Sequence, residues 1–565
     1  MQMTAFGFVR RACRIGAYAV ATGMHAMILL SVQAGETGPA GTNQIKAVAC
    51  DHRYGAVATW SHGTDSSQRN SFWWAEACAF EANLALTVFD TPFNEGAAIV
   101  PTAERAAAAK TGRLAFQIYF FSDSWADPVT KNMVLIPDYY ATNWTQAGVA
   151  AGFDVKSGDP KPARFPNHGQ QLYDISQGKF GYNIAKGAAG KTDVLGPLIL
   201  YQREWVRTNF GHAATAGSYR NGQTGASYAM TNYLLGARNS GANGDTSYGK
   251  SSEGTGYLGG AGGPSNMTPR DAASLISTTR ADDMDWICPG SNCTSRAKVL
   301  AHCGNLLQEA VRSRGWYRDF IHWHGCPRFE MTLEDFYRSQ RAEMKGHDVV
   351  TLDFGTALQH KFLRDMATVQ AQETETGVAL SVTYRDPYGT LPLAIFHIPL
   401  SVRIETQGTR LAGKDIVAAE GCDIRRLEKD VYVVDVPFNG REETVTVHLA
   451  KAQGPANYLD FSLPVITSTA MAGEIIQVRT DRPTRVAVFS TAPGKGLRPV
   501  GAPVRSNDLK TSHALSIGPV SESEFYIGVI SRTGQSILSG PVRFPGKARP
   551  ASQPKGNRGR PSNSK

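Results

Sequence analysis

Cysteine, acidic residues at the chain ends and long apolar runs are all scarce in this sequence. Eight cysteines are spread over 565 residues, and none of their spacings is typical of a zinc knuckle. No Gly-x-Ser-x-Gly elbow lies in a strand-to-helix setting, so a serine hydrolase of the α/β type is not predicted. After residue 34 no apolar stretch is long enough to cross a bilayer, and we expect no stable membrane span in the body of the protein.

The formal net charge of +9 lies in the two ends of the chain. Residues 1–34 hold three arginines, residues 546–565 hold six lysines and arginines, and neither segment contains an acid. The body between them is therefore close to neutral, whereas a nucleic-acid-binding face needs clustered positive charge on the folded domain. We expect no nucleic-acid partner, and predict that the Pro-, Ser- and Gly-rich segment 546–565 is a disordered basic tail.

Residues 1–34 are typical of a secretion signal. Three arginines within 10–14 precede a mostly apolar run at 15–32, and small residues stand at the −3 and −1 positions of a cleavage site after Ala34. A retained anchor is the alternative, since the run is just long enough to span a bilayer. Both interpretations predict an exported protein, which is periplasmic, on the cell surface or secreted.

Export would permit disulfides, and the sequence leaves their pairing open. Cys422 is isolated in a β-rich region and is the candidate free thiol. The candidate pairs are Cys288–Cys293, Cys50–Cys78 and Cys303–Cys326.

The chain divides into an α/β region at 47–370 and a β-rich region after it. Strands predicted at 54–60 and 84–90 flank a helix predicted at 71–83, which indicates a parallel pair buried on both faces. The Gly/Ser-rich segment 236–264 is predicted to be an inserted loop, either covering a substrate or simply flexible. Further strands are predicted at 114–121 and 133–140, and further helices at 299–314, 333–344 and 357–369.

The β-rich region predicts one or two β-sandwich modules, at 375–452 and 455–545. No exposed aromatic platform is evident in either module, so we favour a bracing role over glycan binding. The predicted strands are short runs rich in Val, Ile and Thr, at 379–384, 395–404, 431–436, 444–449, 475–480, 486–490 and 525–531.

Polar residues follow the first predicted strand of the α/β region. His62 and Asp65 stand where the carboxyl ends of parallel strands form a ligand-binding crevice. They are candidate ligands or acid–base groups, and the alternative is a turn stabilised by the side chains of Ser61 and Asp65.

Four further motifs occur in a fixed order along 47–370. The segment Thr-Trp-Ser-His-Gly at 59–63 is followed by Thr-Val-Phe at 87–89 and Asn-His-Gly-Gln-Gln-Leu at 167–172. Ser-Tyr-Arg-Asn-Gly then occupies 218–222, and an aromatic segment at 315–324 contains His322. In this order and relative spacing the region resembles the polysaccharide deacetylases, the NodB-homology domains that remove N- or O-acetyl groups from chitin, peptidoglycan and related glycans.

The resemblance implies a distorted β/α barrel and assigns roles to individual residues. Active members use one acid as base, a second acid and two histidines as ligands of a divalent metal, usually zinc, and a late histidine as general acid. Here the base position is Ser61 and the metal-acid position is His62. His168 keeps the first metal histidine, and Leu172 replaces the second. The retained groups further along the chain are Arg220, which would orient the base, and His322, the general acid.

These departures leave the chemistry incomplete, because a serine cannot replace the carboxylate base on its own. His62 and His168 could still bind zinc, since imidazole is a good zinc ligand, but a catalytic zinc usually has three protein ligands. Asp65 could supply the missing carboxylate as ligand or base, and His324 or Asp285 could also approach.

Three functions are compatible with these residues. The leading hypothesis is a carbohydrate-active hydrolase that cleaves acetyl groups from a polysaccharide or oligosaccharide with an altered metal site. The alternative is a catalytically inactive relative that binds an envelope or matrix polysaccharide. A minor third option is glycosidic-bond cleavage by two of the carboxylates of Asp65, Asp285 and Asp353.

Overall fold

A computed structural model of the chain describes most of the two predicted regions. The predicted signal at 1–34, the strand at 133–140 and the tail at 546–565 lie outside it. The described residues all belong to one unit, 44–565. They are 45–50, 56–63, 69–90, 100–119, 195–218, 233–242, 269–272, 275–280, 294–322, 326–418, 422–440, 444–454, 456, 458–518 and 524–543.

Within the described part of the α/β region there are ten strands and seven α-helices. The strands are β1 Lys46–Cys50, β2 Ala56–Gly63, β3 Leu86–Asp90, β4 Leu114–Tyr119, β5 Ala216–Ser218, β6 Gly236–Ala242, β7 Leu275–Ser277, β8 Thr279–Arg280, β9 Trp316–Phe320 and β10 Val349–Thr351. The helices are α1 Arg69–Ala82, α2 Thr102–Thr111, α3 Leu195–Phe210, α4 Pro269–Ala272, α5 Arg296–Ser313, α6 Leu333–Met344 and α7 Phe354–Met366.

The described residues of the β-rich region form twelve further strands. They are β11 Ala367–Glu373, β12 Gly377–Tyr384, β13 Leu400–Glu405, β14 Ile416–Ala418, β15 Ile424–Glu428, β16 Val431–Val436, β17 Thr444–Lys451, β18 Ile466–Ala472, β19 Ile475–Thr491, β20 Val504–Ser516, β21 Glu524–Ser531 and β22 Ser536–Arg543.

The strands β2 to β9 form a parallel sheet that closes on itself. Pairing runs from β9 through β2, β3, β4, β5 and β6 to β7. Only Thr278 separates β7 from β8, and β8 pairs in parallel with β9, so the last strand returns to the first. A ninth strand, β10, lies parallel to the start of β2. We call this closed sheet the ring.

The two faces of the ring have different partners. On one face, Ala56, Ala58 and Trp60 of β2 share an apolar core with α1, α5 and α6. On the other, α7 begins against the ring: the Phe354 backbone N–H donates to Thr87 Oγ1 at 2.7 Å. This approach needs a glycine, because a Cβ on Gly355 would lie 2.2 Å from Gln117 Nε2 and 2.4 Å from Thr215 Oγ1.

Two four-stranded antiparallel sheets follow, and they share one apolar core with α7. One has the order β1-β13-β16-β15 and the other β11-β12-β17-β14. The structure differs here from the predicted start of the α/β region at 47, because β1 pairs along its whole length with β13. It also ends α7 at Met366, since Ala367 already begins β11, whereas the helix was predicted to reach 369.

The last module is one five-stranded antiparallel sheet. The strands predicted at 475–480 and 486–490 are a single strand, β19, which pairs with β18 and β20 in its first half and with β20 and β21 in its second. The sheet is anchored to α1: the Phe80 and Phe489 rings lie 5.9 Å apart, and buried Glu76 accepts from Arg505 Nη2 at 2.5 Å. These contacts favour the bracing role.

The predicted loop at 236–264 is wrong at its start, since 236–242 form β6. Small residues are required there: a Cβ on Gly236 would lie 2.6 Å from the Ala272 carbonyl oxygen and 2.9 Å from Leu358. Where two backbone segments approach closely, the residues are small and few side chains are large and apolar. Such a segment therefore lacks the periodicity by which strands are predicted. Residues 243–264 lie outside the described part of the chain.

Other elements agree closely with the sequence. The helices predicted at 71–83, 299–314 and 333–344 are confirmed as α1, α5 and α6. The strands predicted at 84–90 and 431–436 are confirmed as β3 and β16. Among the helices that the structure describes, none combines the length and apolar character needed to cross a membrane.

The predicted pair Cys50–Cys78 is wrong, because Cys78 is a buried free thiol. Burial raises the pKa of that thiol well above its usual value, so it stays protonated. Cys422 is a free thiol, as predicted.

The contact between α1 and the last sheet gives a stability prediction. A Cβ on Gly528 would lie 2.7 Å from the Phe80 ring, so Gly528→Ala should lower the free energy of unfolding by about 1–3 kcal/mol through overpacking. Urea denaturation measures this. The matched control is Gly501→Ala, where nothing lies within 4 Å of the new Cβ. An equal effect of the two variants would contradict the proposed packing.

Candidate functional site

The carboxyl ends of β2 and β9 lie side by side at one end of the ring. Ser61 is in register with Phe320, and the Ile321 backbone N–H donates to the Ser61 carbonyl oxygen at 3.2 Å. His62 comes one residue after Ser61, and His322 comes two residues after Phe320. Two candidate residues 260 positions apart in the sequence are therefore carried by neighbouring strand ends.

The structure locates the other predicted residues only in part. His62 belongs to β2, and His322 is half-buried with its ring 4.8 Å from the Phe320 ring, edge to face. Asp65 comes two residues after the end of β2, and Arg220 two after the end of β5. Asp65, His168 and Arg220 all lie outside the described residues, as do Asp285 and His324.

The serine at the family's base position is already engaged. Ser61 is buried, and its hydroxyl donates to the Asp319 backbone carbonyl at 2.9 Å. This bond ties β2 to β9. The Ser61 hydroxyl thus has a structural role.

Two carboxylates that could have served catalysis are structural as well. Asp353 caps α7, accepting from the backbone N–H groups of Gly355 at 3.0 Å and Thr356 at 3.1 Å, and from Gln117 Nε2 at 3.1 Å. This cap argues against Asp353 as one of two carboxylates for glycosidic cleavage. Asp90 ends β3 and forms a fully buried ion pair with Arg105 of α2.

A buried arginine inside the ring was not predicted from the sequence. Arg238 of β6 donates from Nε and Nη2 to Ser218 Oγ, at 3.2 and 2.6 Å. Its guanidinium carbon lies 5.0 Å from the Phe89 ring centroid and 3.7 Å from that of Phe320. An arginine in a predicted loop is expected to be exposed to solvent, so the sequence does not predict its burial.

The sequence also carries two glycine patterns that follow β6. Gly-Asp-Thr-Ser-Tyr-Gly-Lys-Ser at 244–251 matches the phosphate-binding loop consensus, and Gly-Thr-Gly-Tyr-Leu-Gly at 254–259 matches the dinucleotide one. The first needs a strand before it, which β6 supplies, and a helix beginning at its lysine. Both patterns lie in 243–268, outside the described residues, and no function is assigned to them.

The chemistry of the donor set fits a metal, since imidazole and carboxylate groups both bind zinc. Within the described residues no group of three or more His, Cys, Asp or Glu side chains could hold an ion. Two of the predicted ligands, His168 and Asp65, fall outside that range.

No protein-family model matches this chain, and comparison with curated protein sequences finds no match.

The buried pair at the end of β3 gives a second prediction. Arg105→Gln should lower the free energy of unfolding by about 3–5 kcal/mol, because Asp90 loses its buried cation. The control is Arg207→Gln, whose exposed pair with Glu204 should leave the free energy of unfolding nearly unchanged. Chemical denaturation of both variants measures the difference, and similar losses would rule out the structural role of Asp90.

Proposed function

We propose that this protein is an exported carbohydrate-active hydrolase of the deacetylase type, which cleaves N- or O-acetyl groups from a glycan at an altered metal site. The observation that supports it is the register of β2 and β9, which sets His62 and His322 on adjacent strand ends of a closed parallel sheet. In parallel α/β folds the carboxyl ends of the strands form the binding crevice. A catalytic pair split across the sequence needs this kind of convergence.

The residues of the proposed site divide into metal ligands and acid–base groups. His62 and His168 would hold zinc, which when bound polarises the acetyl carbonyl. Asp65 is the nearest carboxylate in sequence to the family's base position, and would take the proton from the attacking water or complete the zinc site. Arg220 would orient that base, and His322 would donate a proton to the leaving sugar nitrogen or oxygen.

The bonding of Ser61 favours a second candidate, a glycan-binding protein without turnover. A neutral hydroxyl is too weak a base to take a proton from water, and this one already donates to a backbone carbonyl. If Asp65 does not replace it, the site would keep its fold and bind an acetylated polysaccharide without cleaving it.

Metal content separates these functions. Elemental analysis of the purified protein, after reconstitution with zinc, should give about one zinc per chain, as expected for a single site. His62→Ala and His168→Ala should each lose the metal and release acetate from acetylated chito- and xylo-oligosaccharides at least about 100-fold more slowly. His347→Ala, an exposed histidine between α6 and β10, should change neither.

Full activity in His168→Ala would show that the proposed site is wrong. Glycan binding by calorimetry, with no metal and no acetate release, would support the second candidate. If the protein neither binds nor cleaves any glycan of the panel, both are excluded.

A further inference from the structure

Arg238 lies at the centre of a chain of contacts that crosses the inside of the ring. It starts from β6, where it is in register with Ser218 of β5, and donates two hydrogen bonds to the Ser218 hydroxyl. The side chain then reaches β9, two strands away in the other direction. Its guanidinium lies 3.7 Å from the centroid of the Phe320 ring.

The chain of contacts continues from Phe320 to His322. These two rings are 4.8 Å apart at an interplanar angle of 68°, a preferred edge-to-face arrangement. The guanidinium stacks on the same Phe320 ring, a cation–π contact that favours this orientation of the ring. Phe320 therefore contacts both Arg238 and His322.

The other end of this chain of contacts is the end of β5, which is close in sequence to Arg220. Ser218 is the last residue of β5, and Arg220 follows it by two positions. One buried side chain thus contacts both the last residue of β5 and the ring that packs against His322. A third contact, with the Phe89 ring at 5.0 Å, adds the end of β3.

We propose that Arg238 is a positioning residue, which sets the orientation of the His322 imidazole through the Phe320 ring. It touches none of the reacting atoms. Its effect on turnover rests on the proposed deacetylase function, whereas its effect on the geometry of His322 does not.

Arg238→Met tests this with a side chain of similar length that has no charge and no donors. In the protein labelled with ¹³C at histidine Cε1, the His322 signal is assigned by its loss in His322→Gln. The edge-to-face contact gives this signal a ring-current shift. We expect Arg238→Met to move it toward the value of an exposed histidine, and Arg238→Lys to restore it in part.

Arg425→Met is the matched control, because Arg425 is equally buried and bonds to a serine hydroxyl, but lies in the β1-β13-β16-β15 sheet. It should destabilise the protein and leave the His322 signal unchanged. Should Arg238→Met not fold, Ser218→Ala removes only the two hydrogen bonds and should shift the signal in the same direction, by less. An unchanged His322 signal in every folded variant would overturn the proposal.

Acetate release gives the second readout. Arg238→Met should lower kcat by about 10- to 100-fold, the cost of a misplaced acid, with KM nearly unchanged. A wild-type protein without activity would exclude the deacetylase function but leave the signal of His322 to decide the role of Arg238. An active wild type with unchanged kcat in Arg238→Met would overturn the positioning role.

Discussion

An open parallel sheet has two edge strands whose backbone groups need partners, and closure of the ring removes both edges. Six residues achieve this: β7 bonds to β6, and after Thr278 the chain continues as β8, which bonds to β9. Thr278 itself stabilises the junction, because its Oγ1 accepts from the Arg318 backbone N–H at 3.1 Å. Because β9 also pairs with β2, these two strands are neighbours in the closed ring although they are far apart in the sequence.

Several polar groups inside the closed ring are hydrogen-bonded to one another. Trp316 Nε1 donates to Thr59 Oγ1 at 3.0 Å, and Gln117 Oε1 accepts from the backbone N–H groups of Thr215 and Ala216. Buried polar groups are costly unless they are bonded, so these pairs restrict which side chains fit beside them. The two aromatic rings against Arg238 serve the same end, by placing a weakly hydrated cation on π faces.

The sequence predicted helices and strands well where apolar periodicity is strong, as in α1, α6 and β3, because the period depends only on neighbours along the chain. It failed where pairing is distant or the residues are small. The pairing of β1 with β13 spans some 350 residues and leaves no local trace. In β6, glycine and alanine serve close packing, and the segment therefore resembles a loop. His62 and His322 belong to the motifs that resemble those of the deacetylases. Arg238 belongs to no such motif and lies in the segment that was predicted to be a loop.

The bond of Ser61 connects the fold to the question of catalysis. A carboxylate at this position would sit beside the Asp319 backbone carbonyl, and two acceptors without a proton between them repel. The serine hydroxyl removes that repulsion and adds a bond between β2 and β9. Serine at position 61 therefore stabilises the strand pair that carries His62 and His322, which a carboxylate in the same place would weaken.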